Sequence, residues 1–238
     1  MAGIHGTHGT HGTHSTHSTH GGHGMTTTLL AGATGLVGSA FTAGWVGPDE
    51  LHLLVRRDMP SPGPLQRVHV VDFAALQALP PAVEAYCCLG TTIKQAGSQE
   101  AFRAVDFDAV LAFATAASLA GVKRFAVVSS LGAKRRSANF YSRVKGEMEV
   151  ALAGLCFDSL VVVRPSLLTG NRAALGQPGR RGEQWAMALT TPFAPLIPRA
   201  WRPIAAAVVA RGMQRALADQ WPGLRIVESA ELQMLGAR

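Results

Sequence analysis

Residues 27–38 read TTLLAGATGLVG: a short run fit for a buried strand, then a G-x-x-G-x-x-G turn that opens a helical pattern. Each glycine answers a physical need. Gly32 permits the tight turn, Gly35 leaves the backbone open to a pyrophosphate, and Gly38 lets helix and strand pack closely. The free N–H groups and positive dipole end of the helix starting at Leu36, Val37 and Gly38, with Thr34 beside them, suit phosphate oxygens. A glycine motif alone is common. Placed directly after a strand and inside a strand–helix–strand unit, it points to a dinucleotide.

Outward from this turn, short apolar runs alternate with helical patterns. Strands are predicted over 27–31, 51–55, 68–71, 85–89, 124–129, 160–163 and 224–228, several of them apolar on both faces, as a buried parallel sheet requires. Helices are predicted over 36–44, 73–79, 99–119, 140–153 and 204–218. The 99–119 pattern is the clearest: Phe102, Val105, Val110, Phe113 and Ala117 recur at helical steps and Gly121 supplies a stop. The fold class expected is α/β, a Rossmann-type doubly wound parallel sheet flanked by helices, with a small C-terminal substrate-covering segment. That cover is placed at 170–203, which carries Pro178, Pro192, Pro195 and Pro198 and one short predicted helix, 182–190.

Residues 1–24 hold seven of the nine histidines, spaced every third residue and padded with Gly and Thr, before a second Met at Met25. They read as an expression tag and are left out of the fold argument, with a natural metal-binding tail as the rival reading. The remaining 214 residues suit a single domain, 25–238. All 22 Lys/Arg and 15 Asp/Glu lie there, so the formal charge of +7 belongs to this domain. At 47% hydrophobic residues the chain is not disordered, and no apolar run approaches the ~18 residues of a membrane span. Three cysteines make no disulfide framework, which sets the expectation of a reducing, cytoplasmic location. No metal site is expected outside the leader, and no pattern specifies an oligomeric state. The basic cluster Lys134-Arg135-Arg136 lacks an aromatic platform or a recognition motif, so no nucleic-acid partner is expected.

The second predicted strand ends in Arg56-Arg57 where an acidic residue would hold the adenosine ribose of NAD. Two arginines favour a 2′-phosphate and hence NADP over NAD, although Asp58 follows at once. Asp72, ending the third strand, could accept from the adenine amino group, and Leu89-Gly90-Thr91, ending the fourth, would run beside ribose and diphosphate. The stretch 122–149 brings Ser129 and Ser130 at a strand end, then Tyr141-Ser142-Arg143-Val144-Lys145 on a helix. Tyr and Lys at i and i+4 share one face. An ammonium beside the phenol favours phenolate, so Tyr141 could exchange a proton with a substrate oxygen, oriented by a Ser hydroxyl. Lys145 could also hold the nicotinamide ribose.

GATGLVG, CLGTT at 88–92, the VDFDAVLAFATAASLAGVKRF unit, SSLGA, YSRVKGEME and the Arg164-Pro165-Ser166 turn together resemble the short-chain dehydrogenase/reductase superfamily in its atypical branch. The likeness is greatest to the Tat-interacting-protein-like oxidoreductases and runs over nearly all of 27–230. It implies Tyr141 as acid/base, Lys145 as activator and ribose ligand, and Ser130, in preference to Ser129, as the carbonyl-orienting hydroxyl. It also implies Arg164, Pro165, Ser166 and Leu167 near the nicotinamide. One departure stands out. Many superfamily members carry an Asn in the helix before the catalytic strand, completing a proton relay; this chain has Asp106 near that place, so the relay is not carried over. Sugar-nucleotide epimerases and dehydratases share the N-terminal half but usually have a longer Ser-to-Tyr excursion than the ten residues here and a larger C-terminal domain. The expectation is therefore an NADP(H)-dependent oxidoreductase acting on a carbonyl or alcohol, an apolar one if Trp185, Phe193 and Trp201 line its cover. A cofactor-sensing interaction protein and a nucleotide-sugar epimerase are the alternatives.

Overall fold

Strands that are apolar on both faces must be covered on both, and the chain meets that demand with helices on either side of one sheet. The computed structural model describes residues 26–46, 49–170 and 198–237. Strands β1 (Thr27–Ala31), β2 (Glu50–Val55), β3 (Gln66–Val70), β4 (Glu84–Cys87), β5 (Arg124–Val128) and β6 (Ser159–Arg164) lie in the main sheet. β7 (Leu168–Thr169) and β8 (Ile204–Ala205) form a separate two-stranded pair, and β9 (Gly223–Glu228) returns to the main sheet. The main sheet is parallel throughout, in the order β3-β2-β1-β4-β5-β6-β9. The chain winds outward from β1 in one direction and from β4 in the other. Their carboxyl ends flank the switch point where such sheets bind ligands.

The helices are α1 (Leu36–Ala43), α2 (Ile93–Ala96), α3 (Gln99–Arg103), α4 (Ala109–Leu119), α5 (Phe140–Ala153), α6 (Ala206–Ala218) and α7 (Ser229–Ala237). One core layer packs Leu51, Leu53, Val161 and Val163 against Phe41 of α1, Met213 of α6 and Leu232 of α7. The other packs Leu29, Leu54, Phe125 and Val162 against Phe113 of α4 and Met148 and Leu152 of α5. α4 is followed by Gly121, whose φ of +92° suits glycine, while Val122 N–H bonds back to Ala117.

Three helix expectations are corrected. The 73–79 segment makes only a 3-10 turn, Phe73–Ala75, capped by Asp72. Leu76 is already extended, and Pro80-Pro81 bar helix from the residues before them. The 99–119 helix is broken by a π-turn, Ala104–Asp108, between α3 and α4. The 204–218 helix starts at Ala206, because Pro203 follows an extended Arg202 and Ile204 N–H goes to the Leu167 carbonyl. α2, α7 and the β7–β8 pair had no sequence expectation. The leader and most of the 170–203 cover, including 182–190 with Trp185 and Phe193, lie outside the described residues.

Candidate functional site

The glycine turn is built by close approach. A Cβ on Gly32, whose φ is +86°, would sit 2.5 Å from the Cys88 carbonyl carbon, and one on Gly38 would sit 2.0 Å from the Gly32 oxygen. The turn therefore seats β1, the end of β4 and α1 against one another. The first α-helical bond runs from Ser39 N–H to Gly35, which leaves the preceding N–H groups outside the ladder. Beside this turn lies a cleft of about 580 Å³ that gathers Gly32, Thr34, Gly35, Arg56, Asp72, Leu89, Gly90 and Thr91. Gln95, Ala101 and Val105 add a wall that sequence reasoning missed: the four-residue α2 leaves no periodic signal, and the 99–119 pattern shows a helix but not that its start faces the cleft. Arg56 and Arg57 are exposed and have no hydrogen-bond or ion-pair partner among the described residues. Asp58 accepts instead from Met59 N–H at 2.9 Å. One oxygen of Asp72 caps Ala74 N–H at 2.9 Å. Leu36, Val37 and Gly38 begin α1 and do not line the cleft themselves.

Behind Gly90 lies a buried ion pair. Lys145 Nζ on α5 is 2.7 Å from Asp106 Oδ1 in the π-turn and donates to the Val128 carbonyl at 3.3 Å. The other Asp106 oxygen accepts Thr91 N–H at 2.8 Å. A Cβ on Gly90 would lie 3.4 Å from Asp106 Oδ1 and 3.7 Å from the ammonium, so this pair backs the cleft wall directly. Burial opposes the charge on Lys145, but Asp106 and then Tyr141 outweigh it and raise the lysine pKa above its ordinary value. Burial likewise pushes the neighbouring Cys87 thiol up to about 12. Tyr141, one turn before Lys145, is half-buried, its ring tilted on Phe102 at 5.2 Å between centroids.

The two serines at the end of β5 differ. Ser129 Oγ donates to Glu149 Oε1 at 2.5 Å. Ser130 Oγ is buried and has no hydrogen-bond partner among the described residues. A buried hydroxyl left unpaired is costly unless something else fills the role. Glu149, on α5, also takes two bonds from Arg164, at 3.0 and 2.5 Å, while Arg164 Nη1 reaches Glu228 at 2.9 Å. These carboxylates raise the Arg164 pKa. Arg164 lines a separate groove with Lys134, Arg135 and Val150, so the structure does not bring its guanidinium to the cleft. A strand-end arginine between two carboxylates is held by them. The Pro165 carbonyl accepts Leu131 N–H at 2.9 Å, the Ser166 hydroxyl donates to the Arg202 carbonyl, and Leu167 keeps an exposed side chain.

No family model matches the chain. Protein HTATIP2 of Rattus norvegicus is 36% identical over 175 residues, covering 70% of this chain and 69% of its own. Protein FMP52, mitochondrial, of Coccidioides immitis is 35% identical over 167 residues, covering 62% of this chain and 68% of its own. Among solved structures, a UDP-N-acetylglucosamine 4-epimerase from Methanobrevibacter ruminantium M1 in complex with UDP-N-acetylmuramic acid superposes with a TM-score of 0.65. The match is at 13% identity and covers 86% of this chain and 76% of that one. MoeE5 in complex with UDP-glucose and NAD gives 0.61 at 15% identity, over 88% and 80%. At such identities the structural likeness speaks for the fold alone. The cytoplasmic expectation is corrected by the fungal relatives, which are named as mitochondrial proteins. Free cysteines fit that compartment equally well, so they never separated the two. The match to the rat protein over two thirds of its length, on a parallel Rossmann-type sheet, makes this chain a member of the HTATIP2-like family of atypical, NAD(P)-binding short-chain dehydrogenases/reductases.

Proposed function

We propose that the chain is an NADP(H)-dependent oxidoreductase acting on a small carbonyl or alcohol substrate through Ser130, Tyr141 and Lys145. The observation that carries this reading is the Ser130 hydroxyl, buried and without a hydrogen-bond partner among the described residues, at the strand end that also anchors Lys145 through the Val128 carbonyl. When bound, the cofactor supplies or accepts the hydride at its nicotinamide carbon. Ser130 orients the substrate oxygen, Tyr141 passes it the proton, and Lys145 holds the ribose side of the site in register. Ser129, already committed to Glu149, is not available for the same task.

The cleft fits a dinucleotide phosphate. The glycine turn and the open start of α1 receive the diphosphate, Arg56 meets the 2′-phosphate, and the second oxygen of Asp72 remains for the adenine amine. Arg57 backs Arg56 from outside the cleft. Leu89, Gly90 and Thr91 run along the ribose. Of the Arg164–Leu167 turn, Leu167 has the side chain free to touch the nicotinamide end.

The test is NADPH-dependent turnover of a panel of aldehydes, ketones and quinones by wild type and Tyr141→Phe. Loss of about 100-fold or more in kcat is expected for the removal of a general acid. Equal turnover overturns the role of Tyr141. Fluorescence titration with NADPH and NADH separates the cofactors: Arg56→Ala should weaken NADPH by about tenfold and leave NADH unchanged, on the ordinary worth of one charge-assisted contact.

A further inference from the structure

We propose that the groove between α5 and β9 is a second ligand site, separate from the cleft beside the glycine turn, and that it takes an anionic amphiphile, a carboxylate on an aliphatic chain of medium length. β9 is the end strand of the main sheet, with β6 its one strand partner among the described residues. Side chains alternate across a strand. Val227 enters the core layer of α6 and α7, whereas Leu224 and Ile226 line the groove and stay 45% and 39% exposed. Val150 of α5 lines it too, 50% exposed, and Ala133 and Ala153 extend the apolar lining. The groove holds about 580 Å³, within the range of small-molecule sites, and α5 runs about 10 Å along it from Gly146 to Ala153. An apolar surface left open on this scale marks a place where something binds.

Charge selects the occupant. The loop after β5 is seated at the Gly146 end by close packing: a Cβ on Gly146 would sit 2.2 Å from the Arg135 backbone nitrogen and 2.3 Å from the Lys134 carbonyl carbon. Lys134 N–H also donates to the Ser142 carbonyl at 3.0 Å. Lys134 and Arg135 are thus fixed at one end of the groove, both exposed, and neither side chain has a hydrogen-bond or ion-pair partner among the described residues. The remaining charges satisfy one another: Arg164 bridges Glu149 and Glu228, and Glu149 also takes the Ser129 hydroxyl. Positive charge is left in excess even with Glu228 counted. A carboxylate head at the loop, with its chain laid along Val150, Ala153, Ile226 and Leu224, meets both halves of the groove. A second copy seated on the same face would set like charges together, in chains of formal charge +7 each.

The test is calorimetric titration of the full chain with decanoate, kept below its micelle-forming range, beside decanol and decylamine. One equivalent of decanoate should bind, about tenfold or more tighter than either companion, the worth of one charge-assisted contact. Saturating NADPH should not displace it. Val150→Asp, which puts a charge on the apolar wall, and Lys134→Gln/Arg135→Gln, which removes the cations, should each weaken it by about tenfold or more. All three positions are exposed, and either variant decides alone if the other does not fold. Absence of saturable binding, displacement by NADPH, a companion that binds within tenfold of decanoate, or a folded variant that keeps its affinity within tenfold of wild type overturns the proposal. A wild-type dimer in sedimentation that Val150→Asp converts to monomer overturns it as well and gives the groove to a second copy.

Discussion

Ser129 and Ser130 are adjacent in the chain and opposite in what they do. Ser129 completes the bonding of a buried carboxylate that Arg164 also holds, so Ser129→Ala should cost about 1.5–3 kcal/mol in urea denaturation, the usual worth of one hydrogen bond to a charged group. Ser130→Ala removes a hydroxyl that has no hydrogen-bond partner among the described residues. It should leave the protein at least as stable as wild type, since an unpaired buried hydroxyl is lost, and cut carbonyl turnover by about 100-fold, as loss of one oxyanion-type donor does. The pair of hydroxyls was readable from the sequence, but their division of labour was not. It depends on Glu149, twenty residues away, turning one face of α5 toward β5. Asp106 shows the same limit. Its place in the chain was visible, while its burial against Lys145 exists only once the π-turn and α5 meet.

At the scale of elements, the strands were legible to within two residues because runs such as LVVV at 160–163 can hide only inside a sheet covered on both faces. Helix α5 was read at its observed bounds. What escaped was whatever lacks a period: the four-residue α2, the β7–β8 pair, and the π-turn that interrupts a helix whose apolar spacing runs on through it. The clamp between α5 and β6 was equally hidden, since Arg164 had been assigned to the nicotinamide. Arg164→Met would strand Glu149 in the interior and should destabilise by about 3–5 kcal/mol. Adding Glu149→Leu should recover most of that loss in the same denaturation experiment, because the buried charge then disappears with its partner.

For the whole molecule, part of the +7 charge gathers by the cleft: Arg56 lines it and Arg57 adjoins Arg56, both exposed and without an ion-pair partner among the described residues. At the far edge of the sheet, Glu50, His52 and His69 form a chain with contacts of 3.2 and 3.0 Å. Burial, then His52, lower the pKa of His69. The unfolded chain therefore binds the proton more readily than the folded one, and stability falls as pH drops below the unfolded value of about 6.5. The urea midpoint should be lower at pH 5.5 than at pH 7.5, and His69→Gln should narrow that difference; an unchanged difference would remove His69 from the account. The β6–β9 ladder carries another consequence. Its strands pair residues such as Arg164 and Glu228, 64 positions apart, whereas every described residue lining the cleft beside the glycine turn precedes Val110. During synthesis the residues that line the cleft emerge while the Val161–Val163 edge still waits for β9. The slow, high-contact-order step thus falls at the end of synthesis.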